Sequence, residues 1–478
     1  VPVTPEEFRA AAHELVDWFA DYRASVDDRP VRSEVPPGWV RDQLAGPPPE
    51  SPEALDALMD DLSSVVVPGI TQTQSPGYYA WFPSNAALES VLGDIASSGL
   101  GALGITWQSA PALTEMEEVV TDWLRELCGL SDDWHGAIHD TASTACLVAM
   151  LVARERATGL SEDRGGLQAE AAPLVVYAST QAHSSVPKAV LLAGYGRDNL
   201  RLVPVDAETL AMDPEALRRL MAEDVAAGRR PAAVVASLGT TGTTAFDPVV
   251  EIVPIAAEHG AWVHVDAAMA GAAMMLPECR PLFAGVEGAD SFGWNPHKWM
   301  GTILDCSLLY VRDVQLLVRV LSTNPSYLRA ASDGEVTQFK DWGIPLGRRF
   351  RSLKLWFHLR LAGAESIRAR LRRDLANAQW LAGQVAAEAD WEVCAPVLLQ
   401  TVCVRHVPPG MDPEAAERHQ QEWAERVNAT GRAFVTPALI EGRWVVRLSI
   451  GAEPTEREDV QALWDLCRAA AQEAAPLG

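Results

Sequence analysis

Apolar residues recur along this chain with two different periods. Phe8, Ala11, Ala12, Leu15, Trp18 and Phe19 fall at helical spacing behind Thr4-Pro5-Glu6-Glu7, which supplies an N-cap, a first-turn proline and two acids. Val35-Pro36-Pro37-Gly38 and Gly46-Pro47-Pro48-Pro49 then break the pattern into pieces too short to build a core. Residues 1–78 are therefore expected to form a helical arm that packs on something else, such as a second subunit. From residue 79 the pattern alternates. Helical stretches at 86–97, 112–127 and 144–158 precede short apolar runs at 174–177, 200–205, 232–238, 262–267 and 307–311. Helical patterns at 214–227 and 248–259 separate several of these runs. The alternation predicts an α/β domain over 79–348, with a mostly parallel sheet covered on both faces. Beyond the breaker Gly343-Ile344-Pro345, one long helix is predicted over 349–373. Strands at 391–394, 401–405 and 444–449 and helices at 413–430 and 455–474 complete a small α+β domain over 349–478.

Composition narrows the function. The 478 residues carry 64 acids against 39 Lys and Arg, a formal charge of −25. That balance argues against a nucleic-acid surface and against a polybasic membrane contact. No run of ~18 apolar residues occurs, so no membrane span is expected. Val1 to Arg23 lacks the basic and apolar regions of a signal peptide. The seven cysteines are odd in number, scattered and without a CxxC pair, which reads as reduced thiols in a cytoplasmic protein.

Several motifs fail on context. Gly99-Leu100-Gly101-Ala102-Leu103-Gly104 fits GxGxxG but follows a helical stretch, where a dinucleotide site needs a strand. His135 and His139 could share a helix face, yet no third zinc ligand is near. Gly239-Thr240-Thr241-Gly242 follows a strand but lacks the lysine of a P-loop. It is a polar loop at a strand's carboxyl end, where α/β domains bind ligands.

Three other features combine. Asp140-Thr141-Ala142-Ser143-Thr144 precedes a helix and reads either as an ordinary N-cap or as an anion pocket for phosphate. His264-Val265-Asp266-Ala267-Ala268 ends a buried strand in an acid, which demands a cationic or N–H partner. Lys298, one of only four lysines, lies between His297 and Trp299 in an apolar run. It either snorkels to water or serves as a nucleophile. Phosphate pocket, buried acid and buried lysine together are what pyridoxal phosphate requires. The lysine forms a Schiff base, the acid pairs with the ring nitrogen and the helix N-terminus takes the phosphate.

Asn295-Pro296-His297-Lys298-Trp299, with Asp266-Ala267-Ala268, resembles the group II pyridoxal-phosphate decarboxylases, in particular the aromatic-L-amino-acid decarboxylases. Ser75-Pro76 through Trp81-Phe82-Pro83, Gln181-Ala182-His183-Ser184-Ser185, Leu238-Gly239-Thr240-Thr241, Phe246-Asp247 and Ile344 through Lys354 extend the likeness over nearly the whole chain. The resemblance implies the aspartate-aminotransferase fold (fold type I) and a homodimer. It implies that His183 stacks on one face of the cofactor ring and Ala268 lies against the other. Thr141, Ala142 and Ser143 would hold phosphate, with Asn295 and His297 nearby and Thr241 close to the ring or the substrate carboxylate. Tyr327 matches the tyrosine of the family's catalytic loop and would protonate Cα. The implied substrate wall comprises Thr73, Trp81, Phe82, Pro83, Leu103, Ile105, Trp107 and Gly347.

The sequence also departs from the family pattern. Asp140 stands where animal members have glycine, and an acid beside a phosphate is expected to point away. Thr73 and Ile105 replace a tryptophan and a phenylalanine, which widens the pocket. Gly347 occupies the place where plant tryptophan decarboxylases tend to carry glycine and tyrosine decarboxylases serine. The implied reaction is decarboxylation of an aromatic L-amino acid. The rivals are an aldehyde synthase of the same family and a decarboxylase of a non-aromatic amino acid. Such synthases typically replace the loop tyrosine by Phe or lack the stacking histidine, so Tyr327 and His183 favour the amine. A cofactor-free binding scaffold is the remaining alternative, and the intact Lys298 and Asp266 speak against it.

Overall fold

The computed structural model describes residues 3–323 and 334–474. They form two compact units. One comprises Ser84–Ala382 and Val393–Cys403, the other Val1–Pro83, Gly383–Glu392 and Val404–Gly478.

The larger unit is built on seven strands: β1 (His135–His139), β2 (Leu174–Ser179), β3 (Leu200–Val203), β4 (Arg230–Ser237), β5 (Trp262–Asp266), β6 (Ser291–Trp294) and β7 (Ser307–Val311). Their order in the sheet is β1-β7-β6-β5-β4-β2-β3. Pairing is parallel from β3 through β2, β4 and β5 to β6, and antiparallel on both sides of β7. All six residues of β2 and seven of the eight in β4 are buried, as continuous Val- and Ala-rich runs in a doubly covered sheet should be. Helix Ala142–Thr158 lies across β4 to β7 and shares their core. Every apolar run read as a strand here is one.

Two strands lacked a sequence signal. His135–His139 is β1 and not a helix face. Gly136 gives it the room to pair with β7, because a Cβ there would sit 2.7 Å from the Tyr310 ring. No group of three or more metal-ligating side chains occurs among the described residues. Ser291–Trp294 is too short and too polar at its start to register as a strand, yet both neighbours pair with it. The single helix expected over 349–373 is two, Ser352–Ala362 and Ala364–Ala386. Gly363, at φ +77°, breaks it by leaving helical backbone geometry.

In the other unit, helix Pro5–Ala24 is capped as its sequence implies. Thr4 Oγ1 accepts the Glu7 N–H and Glu7 Oε2 accepts the Thr4 N–H. The helix buries none of its residues, and Phe8 is 65% exposed. A four-stranded sheet, most of which lies in this unit, has the order β10-β11-β9-β8, from β8 (Trp391–Val393), β9 (Thr401–His406), β10 (Thr436–Ile440) and β11 (Arg443–Ser449). Strand β10, with Pro437 inside it, escaped the pattern. It forms a hairpin with β11 through Glu441 and Gly442, both at positive φ, as the tight turn between twisted strands requires. No helix among the described residues is long and apolar enough to cross a membrane.

Candidate active site

Strands β4, β5 and β6 end side by side, with Ser237 paired to Asp266 and Asp266 to Gly293. The Asp266 carboxylate accepts the N–H of Ala268 at 3.0 Å. The chain then crosses between strands: Ala267 N–H donates to the Gly293 carbonyl and Asn295 N–H to the Ala268 carbonyl, each at 2.9 Å. Lys298 follows in the turn Pro296–Met300, where its ψ of −109° interrupts the helical backbone. Its carbonyl accepts from Asn85 Nδ2 at 3.3 Å. Buried neighbours fix the turn. His297 Nδ1 accepts the Cys306 N–H at 3.0 Å, and Trp299 Nε1 donates to Asp374 at 2.9 Å. Burial, reinforced by the Lys298 cation, lowers the His297 pKa to about 4.

Strand β1 leads directly into helix Ala142–Thr158. Thr141 is extended and its side chain makes no capping bond, so the N–H groups of Ala142 and Ser143 have no acceptor among the described residues. Asp140 does not point away. Its Oδ1 accepts the Thr141 N–H at 2.7 Å, which keeps the carboxylate at the helix N-terminus. Arg351, bidentate on Asp305 at 3.1 and 2.8 Å, lies within electrostatic reach of Asp140.

His183 follows β2. Its Nδ1 accepts the Ser185 N–H at 3.1 Å, which leaves the ring proton of the neutral form on Nε2. Partial desolvation of this exposed residue's ring and the Lys298 cation lower its pKa, and the Asp266 carboxylate opposes the shift. One imidazole thus feels both the lysine and the acid. Strand β5, which ends in Asp266, packs against the helix that begins at Ala142. Thr241 is half-buried in the loop after β4, next to the hydrogen-bonded pair Thr240 and Thr243.

The expected wall residues fall in both units. In the larger one, Leu103 and Ile105 flank Gly104, whose backbone pairs with Arg348 beside Gly347. Leu103 Cδ1 is 3.5 Å from where a Gly347 Cβ would stand. The Trp107 indole donates to Glu115 at 2.9 Å. In the other unit, Trp81 is 53% exposed at φ +44°, held by its N–H to Thr436 and its carbonyl to Arg447. Phe82 is buried under the Arg447 guanidinium, Pro83 is buried and Thr73 is half-buried. Tyr327 lies outside the described residues.

Three structural participants carried no sequence signal of their role. Asp247 is buried and accepts the Met212 and Ser237 N–H groups, each at 2.7 Å, which folds the Thr241 loop back on β4. Burial lifts its pKa to about 6. Asn85, and the ion pair of Glu117 with Arg348, likewise became visible only through partners far away in the chain.

The arrangement fits pyridoxal phosphate. Open N–H groups stand at a helix N-terminus, a carboxylate ends the central strand, and Lys298 lies in the turn that follows the neighbouring strand. Two buried polar atoms at the same edge, Ser237 Oγ and Asn295 Oδ1, have no hydrogen-bond partner among the described residues.

The profile of the pyridoxal-dependent decarboxylase conserved domain matches residues 37–407. This chain belongs to that family. As a pyridoxal-dependent decarboxylase it uses pyridoxal phosphate as its cofactor. It is 40% identical over 476 residues to tryptophan decarboxylase 2 of Oryza sativa, covering 98% of this chain and 95% of that one. It is 39% identical to phenylacetaldehyde synthase of Arabidopsis thaliana, covering 97% and 96%. Among solved structures, Oryza sativa TDC with PLP and tryptamine superposes with a TM-score of 0.95 at 39% identity, covering 99% of each chain. Catharanthus roseus tryptophan decarboxylase with L-tryptophan gives 0.93 at 38%, covering 99% and 100%. These likenesses bear out the fold type I architecture, the cofactor and the decarboxylase class expected from the sequence.

Proposed function

We propose that this decarboxylase converts an aromatic L-amino acid to its amine and carbon dioxide, with an indole ring accepted. The observation that carries the reading is the backbone bonding that brings the turn after Asp266 against the segment leading to Lys298: Ala267 N–H donates to the Gly293 carbonyl and Asn295 N–H to the Ala268 carbonyl, each at 2.9 Å. The tryptophan and tyrosine decarboxylases among its relatives support the aromatic substrate.

The chemistry that pyridoxal phosphate supplies when bound is an electron sink for the pair left at Cα. Lys298 would hold it through its amine. Asp266, its plane set by the Ala268 N–H, keeps a proton on the ring nitrogen. His183 would cover one ring face and Ala268 the other. Ala142 and Ser143 offer N–H groups to the phosphate, with Thr141, Asn295 and His297 around it and Thr241 toward the substrate carboxylate. Leu103, Ile105, Trp107 and Gly347 in the larger unit, and Thr73, Trp81, Phe82 and Pro83 in the other, are each candidates for contact with an aromatic ring. Tyr327 delivers a proton to Cα.

The enzyme works as a cytoplasmic homodimer in this reading. Helix Pro5–Ala24 covers no core of its own chain, and Leu88, Leu92 and Ile95 form an exposed apolar row on helix Leu88–Leu100, each about half exposed. Light scattering on the purified protein would expose a monomer. The substrate is tested with a panel of purified amino acids, measuring amine and carbon dioxide. Turnover of glutamate or lysine with no aromatic substrate accepted would overturn the assignment.

A further inference from the structure

The turn that carries Lys298 is held from its far end by one helix. Trp299 and Met300 follow the lysine, and both are sealed from water. Arg370 Nη2 donates to the carbonyls of both, at 2.6 and 2.8 Å. Its Nη1 lies 3.6 Å from Oδ2 of Asp374, one turn further along helix Ala364–Ala386. The same Asp374 oxygen accepts the Trp299 indole N–H at 2.9 Å. Arg370 and Asp374 therefore grip Trp299 by its backbone and its side chain at once. Asp374 is fully buried, and Arg373 Nε stands 3.6 Å from its other oxygen, so two guanidinium groups face its charge.

The grip depends on a glycine. Gly301, at φ +103°, ends the turn, and an added Cβ would meet Arg370 Nη2 at 3.2 Å. The Gly301 carbonyl accepts the Ala87 N–H at 2.9 Å. Thr302 N–H donates to the Pro296 carbonyl at 3.1 Å, which closes the turn, and Thr302 Oγ1 is bonded to His358 Nδ1 at 3.0 Å. Each residue from Trp299 to Thr302 is thus tied across the turn or to a segment outside it.

We infer that Arg370 and Asp374 are positioning residues for Lys298: they hold its turn so that the amine meets the cofactor in one direction. The inference rests on the reading of Lys298 as the cofactor lysine. The helical backbone is interrupted at Lys298, so the buried carbonyls of Trp299 and Met300 need partners from outside the turn. Arg370 supplies them. An ion pair sealed in protein is a poor source of stability, because desolvation offsets much of its attraction. What this pair supplies is direction. One nitrogen of the fork takes two successive carbonyls while the other faces the carboxylate, which an ammonium group cannot copy. A reacting group held by such supports meets its partner without a search over orientations.

The test strips cofactor from the full chain and titrates it with pyridoxal phosphate and, separately, with pyridoxamine phosphate. Both ligands carry the same ring and phosphate. With the aldehyde, the Lys298 nitrogen can bond the aldehyde carbon as one water leaves; the amine in its place cannot form that bond. The ratio of the two Kd values therefore reads the placement of the lysine apart from the rest of the pocket. In Arg370→Lys the Kd for pyridoxal phosphate should rise about tenfold, the scale of one charge-assisted hydrogen bond, while that for pyridoxamine phosphate holds within about twofold. Asp374→Asn keeps an acceptor for the indole and should shift the ratio in the same direction by less. Arg372→Gln is the control on the same helix, since Arg372 pairs with Glu278 and Glu365 rather than with the turn, and its ratio should not move. The inference is overturned if both ligands weaken in equal proportion, if neither weakens, or if Arg372→Gln moves the ratio as far. Failure of both Arg370→Lys and Asp374→Asn to fold also overturns it, marking the pair as a stabilising element. Lys298→Ala should shift the ratio furthest. An unchanged ratio in that variant overturns the reading of Lys298 itself, and the inference with it.

Discussion

The carboxylate of Asp266 and the backbone N–H of Ala268 are joined at 3.0 Å across the turn that leaves β5. That bond orients the acid and, in the proposed reading, its second oxygen would meet the cofactor's ring nitrogen. Asp266→Asn keeps an oxygen for Ala268, so the turn should survive. The ionic bond that holds a proton on the ring should not. Activity is expected to fall by roughly 10⁴-fold, the scale on which a buried catalytic acid acts when made an amide. Cofactor occupancy, read by absorbance, should persist. Near-normal turnover with cofactor bound would remove Asp266 from this role.

Borohydride reduction followed by peptide mapping should place the pyridoxyl group on Lys298. The structure gives a reason beyond motif. Lys340 is sealed against Asp341 at 2.6 Å, and Lys354 is sealed against Asp94 at 3.0 Å. Lys188 sits exposed on helix Ser185–Leu192. Label on any of these three would refute the assignment.

The sheet and the three groups at its edge were legible in the sequence because each depends on local signal. Buried parallel strands read as continuous apolar runs, and a helix start reads from its cap residues. What the sequence hid depends on partners distant in the chain. Strand β1 exists because Tyr310 packs over Gly136, and Asp140 stays at its helix because it satisfies the Thr141 N–H. The Glu117–Arg348 pair joins residues 231 positions apart, and no periodicity reports such a contact.

Gly347→Ser should narrow the substrate range. Gly347 has an ordinary negative-φ backbone, and a Cβ there meets only Leu103 at 3.5 Å, so serine fits without strain. Its hydroxyl would stand in the space proposed for the second ring of an indole. The ratio of kcat/KM for tryptophan over tyrosine should drop about 10–100-fold, from a side-chain-sized wall change of about 1–3 kcal/mol. An unchanged ratio would place the ring elsewhere.

Stability should fall as the solution is acidified from pH 6.5 to 4. Burial lowers the pKa of His139 to about 3 and of His264, His297 and His358 to about 4. Each imidazole stays neutral when folded but takes up a proton when unfolded. Its stabilising contribution is complete above pH 6.5 and is lost as pH falls through the folded value. Asp247 and Asp374, raised to about 6 by burial, act in the opposite sense over the same range. With His406, also lowered to about 4 by burial, five histidines against two acids leave a net loss, readable as a lower melting temperature at pH 4.5 than at pH 7. His264→Gln should flatten that slope. A melting temperature that climbs toward pH 4.5 would contradict the account.

Tyr327→Phe should change the product rather than stop the reaction. Loss of carbon dioxide needs the electron sink held by Asp266, and that is intact in this variant. Cα must then take a proton or meet oxygen. A phenol with a pKa near ~10 is protonated at neutral pH, and held over Cα it wins by position rather than by acidity. Phenylalanine keeps the ring and removes the proton. In air the variant should consume one oxygen and one water for each substrate that is not protonated, giving aldehyde, ammonia, carbon dioxide and hydrogen peroxide in place of amine and carbon dioxide. The phenylacetaldehyde synthase that shares 39% of its sequence with this chain shows how near the two outcomes lie on this fold. Amine, aldehyde and peroxide are quantified together with the best aromatic substrate. Amine as sole product at the wild-type rate would assign the proton to another group, with His183, its Nε2 carrying the ring proton, the first to examine.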